Sequence, residues 1–191
     1  TFNAANNDIG GNFDFDGDRL VINEGGNTVG GAMNVAVASG GAFSTGLDAD
    51  LTVDGQFSQT GAGTNSLGGD ITSTNAGLSF ASNVFLFGTG TVTLTTGGGV
   101  GDDLVVGGTL TNDATLKKGS PKSLIVDAGT GGDVSITGAV NLSKSDLTIV
   151  NADQVTFSSS VAATNFTQSA ANTTSGTTTF NGQVTLSGNM D

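Results

Sequence analysis

The sequence predicts an all-β protein built as a solenoid, in which short strands stack on successive coils. Gly, Thr, Ser and Asn fill about half of the 191 positions, whereas the polar helix formers Glu, Lys, Arg and Gln are scarce. Apolar and polar residues alternate in short runs, which is typical of strands with one buried face. One such run recurs six times at irregular intervals. A parallel β-helix tolerates this irregularity because loops of variable length can leave its corners.

The recurring run is an alternation with apolar first, third and seventh positions and a small fifth position. Its copies are residues 51–59, 78–86, 104–112, 134–142, 155–163 and 178–186. The third-position residues, which we expect to stack inside successive coils as core anchors, are Val53, Phe80, Val106, Ile136, Phe157 and Phe180. The fifth residue is Gly or Ser in every copy, which predicts a bend where two strands converge and interior room is limited.

The pattern divides the chain into two parts, residues 1–50 and residues 51–191. We expect regular solenoid repeats in the second part, giving about seven or eight irregular coils in all and a rod ~35–40 Å long. The first part fits less well, although residues 13–15 and 33–37 read as strands. It is expected to form irregular coils, or a cap or docking segment. In the docking case, residues 1–12 would add a strand to the open edge of another copy.

Composition and charge exclude several classes of function. The chain has no Cys and no His, which excludes disulfides, thiolate metal sites and imidazole chemistry. The formal net charge is −12, and such a surface repels nucleic acids and anionic membranes. No apolar stretch is long enough to span a bilayer. The lack of Trp and Tyr weighs against an aromatic sugar platform. The chain is therefore expected not to be an enzyme. Because it opens at Thr1 without Met, it reads as a mature or excised piece of a longer protein.

The repeats resemble the long β-solenoid regions of secreted bacterial surface proteins, namely filamentous-haemagglutinin-type adhesins and autotransporter passenger domains. Residues 132–140 and 155–161 carry this resemblance, which covers roughly residues 51–186. It implies a right-handed parallel β-helix exported to the cell surface, where it acts as a stalk, adhesin or matrix component. The expected partners are another copy of the chain or a host-surface or polysaccharide receptor. Two alternatives stay open: a subunit of an extracellular filament joined end to end, and a carbohydrate-active β-helix enzyme.

One acidic segment is a candidate calcium site, and no other cofactor is expected. Asp14, Asp16 and Asp18 alternate as the ligands of a calcium loop do. An EF-hand would place a bidentate acid where this chain has Gly25. A solvated acidic turn is therefore favoured over a weak calcium site.

Two further acidic groups have a chemical and a structural interpretation. Residues 98–105 match the calcium-binding nonapeptide pattern once, whereas such sites need stacked copies. A glycine corner is the favoured interpretation. Asp48, Asp50 and Asp54 lie around the start of a predicted strand. Alternation places Asp50 and Asp54 on the same face, and such a pair of carboxylates would suit glycosidase chemistry. Such a same-face pair is common in a chain with many Asp residues, so solvated carboxylates are favoured.

Residues 116–122 hold three Lys and the only Pro, and read as a solvated loop that leaves the coil. Its positive charge could instead contact an acidic neighbouring subunit. Glycosylation sequons begin at Asn141, Asn165 and Asn172. Their modification depends on the host. The Thr residues at the second position of the repeat form an interrupted ladder, which the β-propensity of Thr explains.

Overall fold

The computed structural model describes residues 1–113, 121–169 and 176–191. Within these ranges there are strands and no helix, so no helix there could cross a membrane. The strands are β1 (Asp8–Ile9), β2 (Phe13–Ile22), β3 (Asn27–Val29), β4 (Met33–Thr45), β5 (Leu51–Val53), β6 (Phe57–Thr60), β7 (Thr64–Leu67), β8 (Ile71–Ser73), β9 (Leu78–Phe80), β10 (Val84–Leu86), β11 (Thr91–Thr95), β12 (Leu104–Val106), β13 (Leu110–Asn112), β14 (Ser123–Asp127), β15 (Val134–Ile136), β16 (Val140–Leu142), β17 (Leu147–Asn151), β18 (Gln154–Phe157), β19 (Val161–Ala163), β20 (Phe166–Gln168), β21 (Thr177–Phe180) and β22 (Val184–Leu186).

The strands pair in parallel and stack on three sides of each coil. The first side runs β2-β4-β6-β9-β12-β15-β18-β21, and the second side runs β2-β4-β7-β10-β13-β16-β19-β22. The long strands β2 and β4 run through both sides and join them into one 14-stranded sheet. The third side is a separate sheet of eight strands, β1-β3-β5-β8-β11-β14-β17-β20. The chain is therefore a parallel β-solenoid of about seven turns, which confirms the predicted fold class.

Residues 1–50 lie in the same sheets as the rest of the chain. β1 pairs with β3, which pairs with β5, while β2 pairs with β4. The first twelve residues also bond to their own chain, since the amide of Phe2 donates to the carbonyl of Val21 at 2.8 Å. Residues of this segment are therefore already paired with later parts of their own chain.

Alternation within the strands builds a core of stacked columns. Inward residues of consecutive coils are direct register partners, and their side chains are excluded from water. Five of the six sequence anchors share one column on the first side, in the order Phe80, Val106, Ile136, Phe157 and Phe180. The first four are buried, and Phe180 is partly buried.

Val53 is buried but lies elsewhere, in β5 on the third side. Its register partners are Val29 and Ser73, whereas the residue that precedes Phe80 in the first-side column is Gln59. The physical reason is that all three sides carry the same apolar-x-apolar pattern. A template fitted to one side can therefore fit the next side equally well.

The corner between the first and second sides has a constant length. From β6 onward it comprises three residues, at 61–63, 81–83, 107–109, 137–139, 158–160 and 181–183. Its middle residue is always small: a Cβ added to Gly138 would lie 2.4 Å from the backbone carbon of Gly108 on the previous coil. The small fifth position of the repeat thus reflects close stacking of backbones along the rod as well as a bend.

Candidate functional site

Several Asp carboxylates at the corners form hydrogen bonds that join one coil to the next. In the part of the chain that the structure describes, five Asp side chains that each directly precede a strand accept a hydrogen bond from a backbone amide of the next coil. They are Asp50, Asp70, Asp103, Asp133 and Asp146, with donor–acceptor distances of 2.7–3.2 Å. In every case the acceptor lies on the earlier coil and the donor on the later coil. Carboxylates satisfy backbone amides well because the bond is charge-assisted.

This corner arrangement can be tested at Asp133, whose carboxylate accepts from the amide of Gln154 at 3.0 Å. Asp133→Ala is expected to lower the free energy of unfolding by about 1 kcal/mol, because the amide loses its partner. Asp133→Asn removes the same charge and retains an acceptor, so it should lose clearly less. Chemical denaturation of both variants measures the difference. Equal losses would show that the bond does not stabilise the stack.

The calcium candidates Asp14, Asp16 and Asp18 lie on strand β2 with exposed side chains. Asp14 accepts a hydrogen bond from the side chain of Asn34 on the next coil, at 2.7 Å. An extended strand separates alternate carboxylates by about 6.8 Å, whereas an EF-hand loop wraps them round one cation. In the described part of the chain, no three acidic side chains form a group that could hold a metal.

The other acidic motifs also have local roles. Residues 98–105 contain a turn in which Gly98 and Gly101 have positive φ and the Asp102 carboxylate accepts the amide of Gly99 at 2.8 Å. This arrangement is the glycine corner. Among the glycosidase candidates, Asp50 bonds to the next coil as described above, and Asp54 accepts the hydroxyl of Thr74 at 2.7 Å.

Lys122 is buried, in contrast to the solvated position expected for it. Its side chain is 1% exposed, and its Nζ lies 3.3 Å from the Asp48 carboxylate and 3.2 Å from the carbonyl of Thr91. It thereby joins coils that are 74 residues apart in sequence. Residues 116–120 of the predicted loop lie outside the described residues.

The sequons differ in accessibility. Asn141 is exposed on β16, whereas the Asn165 side chain bonds to Asp146 and to the amide of Asn189. Asn172 lies outside the described residues.

The third side carries a column of Thr side chains that the alignment of the six repeat copies did not reveal. Thr28, Thr52, Thr72 and Thr95 are outward register partners on four successive coils, and Asp127 follows them. The sequence signal for this column is the spacing of Thr28, Thr52 and Thr72, which are separated by about one coil length each.

The second side carries a lateral groove of about 450 Å³ in its first four coils. Its middle column consists of the outward register partners Val21, Ser44, Ser66 and Phe85. Small side chains on two coils therefore lie between larger ones on the coils at either end.

Arg19 and Phe87 also line this groove. Arg19 is exposed, and no ion pair or hydrogen bond of its guanidinium occurs within the described ranges. Phe87 leans toward the preceding coil, because its Cζ lies 2.7 Å from the position of a Cβ built on Gly68. The groove combines two aromatic rings with a cation in a predominantly acidic protein.

No protein-family model matches the chain, and comparisons with curated proteins and with solved structures give no match either.

Proposed function

We propose that the chain forms part of an extracellular structural or adhesive protein, as a surface stalk, adhesin or matrix component. The observation that carries this proposal is the continuous stack of parallel coils, in which register-paired strands and corner side chains join each coil to the next. Repeat architectures of this kind project binding surfaces along their length, and each coil is stabilised by its neighbours.

The outer surface is consistent with an exposed role. The outward column of the first side from the second coil onward consists mostly of small polar residues: Asn34, Ser58, Ser79, Val105, Ser135, Thr156 and Thr179. Such side chains have little entropy to lose when a partner binds. The net charge of −12 opposes association with nucleic acids and anionic membranes.

The proposal is tested by displaying the chain on a non-adherent bacterium through an unrelated anchor. Attachment to epithelial cells and antibody access to a tag at the distal end are both measured. The matched control is Phe157→Asp, displayed in equal amount, which disrupts the core. At least one of the two readouts should rise with the native chain and fall with the control. A native chain that changes neither readout would contradict the proposal.

A second candidate is an extracellular filament in which copies join end to end. It is favoured by the half-exposed core-type residues Phe180, Val184 and Leu186 on β21 and β22. Phe2 lies on the second side, one coil before the end of β2. In such a filament, residues 1–9 of one copy would stack on β22 of another copy and on the segment after it. Negative-stain microscopy should then show fibres that disappear when residues 1–12 are deleted and persist in Val100→Asp, a lateral control. Single rods at high concentration would contradict this candidate.

A further inference from the structure

The groove on the second side has a defined floor and two ends. The floor consists of small residues on the coils of β4 and β7, including Ala42, Ser44 and Ser66. Phe85 and Phe87 border it on the coil of β10, and Arg19 borders it on the coil of β2. Three coil steps separate these ends, which gives a length of about 14 Å. This is the length of a short oligosaccharide.

The chemistry of the lining is divided between its ends. Phe85 is 38% exposed although it occupies a central strand position, and Phe87 is half-buried beside it. Their faces offer apolar contact to the C–H face of a sugar ring. Neither Ser44 nor Ser66 uses its hydroxyl in a hydrogen bond within the described part of the chain, so both can bond to ligand hydroxyls.

Arg19 determines the charge of the ligand. A guanidinium binds a carboxylate through two parallel hydrogen bonds, which gives directional as well as electrostatic preference. Among the residues that the structure describes, one cationic side chain lines the groove, while the chain as a whole has a net charge of −12. The surrounding surface would therefore repel a polyanion strongly, whereas it would repel one carboxylate on an otherwise neutral chain much less, and the pairing with Arg19 would offset that repulsion.

We propose that this groove binds a neutral glycan that ends in a sugar with a single carboxylate. The sugar rings pack against Phe85 and Phe87, the hydroxyls bond to Ser44 and Ser66, and the terminal carboxylate pairs with Arg19. The inference rests on the adhesive part of the proposed function and names the class of receptor for it. Phe takes the stacking role here, although the absence of Trp and Tyr weighed against a sugar platform.

Isothermal titration calorimetry with the full chain tests the proposal, using 3′-sialyllactose, lactose and a hyaluronan oligosaccharide as probes. The first probe should bind best. Arg19→Gln should weaken its binding by roughly tenfold while leaving the response to lactose unchanged. Phe85→Ser should weaken the binding of both lactose and 3′-sialyllactose, because it removes part of the apolar contact.

Matched controls separate the groove from general surface effects. Val105→Ser removes an apolar side chain of equal exposure, 38%, from the first side and should bind as the native chain does. Circular dichroism establishes that each variant is folded. Equal binding by the native chain and Arg19→Gln, an equal loss in Val105→Ser, tighter binding of hyaluronan, or no binding of 3′-sialyllactose would each overturn the proposal. Any of these results would leave the display experiment, and with it a structural role, unaffected.

Discussion

Phe157→Asp is expected to unfold the C-terminal half of the rod, lowering the free energy of unfolding by about 4 kcal/mol or more. Phe157 is 1% exposed; its ring stacks on that of Phe180 and is T-shaped to that of Phe166, with centroid distances of 5.1 Å and 6.0 Å. The variant removes these contacts and buries a carboxylate at a position where the described residues place no cation. Urea denaturation followed by circular dichroism and hydrogen exchange measures the loss and its extent along the chain.

The matched control is Thr156→Asp, one residue earlier on β18. Thr156 lies on the outward side of the strand, between Ser135 and Thr179 of the neighbouring coils. Its variant should lose less than about 1 kcal/mol, since the new carboxylate stays hydrated. If both variants lost equal stability, the inward and outward assignment of β18 would be wrong.

Gly138→Val is expected to cost about 3 kcal/mol or more, because the new side chain would displace the backbone of the previous coil. The built Cβ lies 2.4 Å from both the carbon and the oxygen of Gly108. Neither atom can move aside without breaking the pairing of β12 with β15 or of β13 with β16. Thermal unfolding, with strand content followed by circular dichroism, measures the effect.

Thr137→Val adds a similar apolar side chain to the same corner at an exposed position. It should unfold within a few degrees of the native chain. A Gly138→Val variant as stable as Thr137→Val would show that the coils can separate at this corner without loss. The explanation given for its small residues would then be wrong.

The fold could be predicted from the sequence because alternation and small corner residues act within single segments. The column from Phe80 to Phe180 is correct for that reason. The position of Val53 could not be fixed, since coil length varies and the corner at Gly55 is small for the same steric reason as the corner at Gly138. The local pattern of apolar and polar residues defines each strand. Which of the three sides a strand belongs to depends on its pairing with strands of the neighbouring coils.

The groove depends on long-range register and could not be assembled from the sequence. Arg19 and Phe85 lie three coils apart, and their proximity to a common floor follows from the β2-β4-β7-β10 pairing. The sequence held one available signal: Phe85 is a large apolar residue at an outward position of the repeat. The burial of Lys122 could not be predicted from the sequence either, because the groups that it contacts belong to residues 48 and 91, far away along the chain.

Because the corners differ in how much their length varies, the width of this solenoid can change independently of its length. Between the first and second sides, every corner from β6 onward is three residues long. The connection from the third side back to the first varies in length: it has four residues after β8, eight after β11 and two after β17. Residues added at that return would widen the molecule without lengthening it, and an added coil would lengthen it by about 4.8 Å. Residues 96–103 are thus a natural place to graft a foreign peptide for display, whereas one residue inserted at 137–139 would throw the following strands out of step.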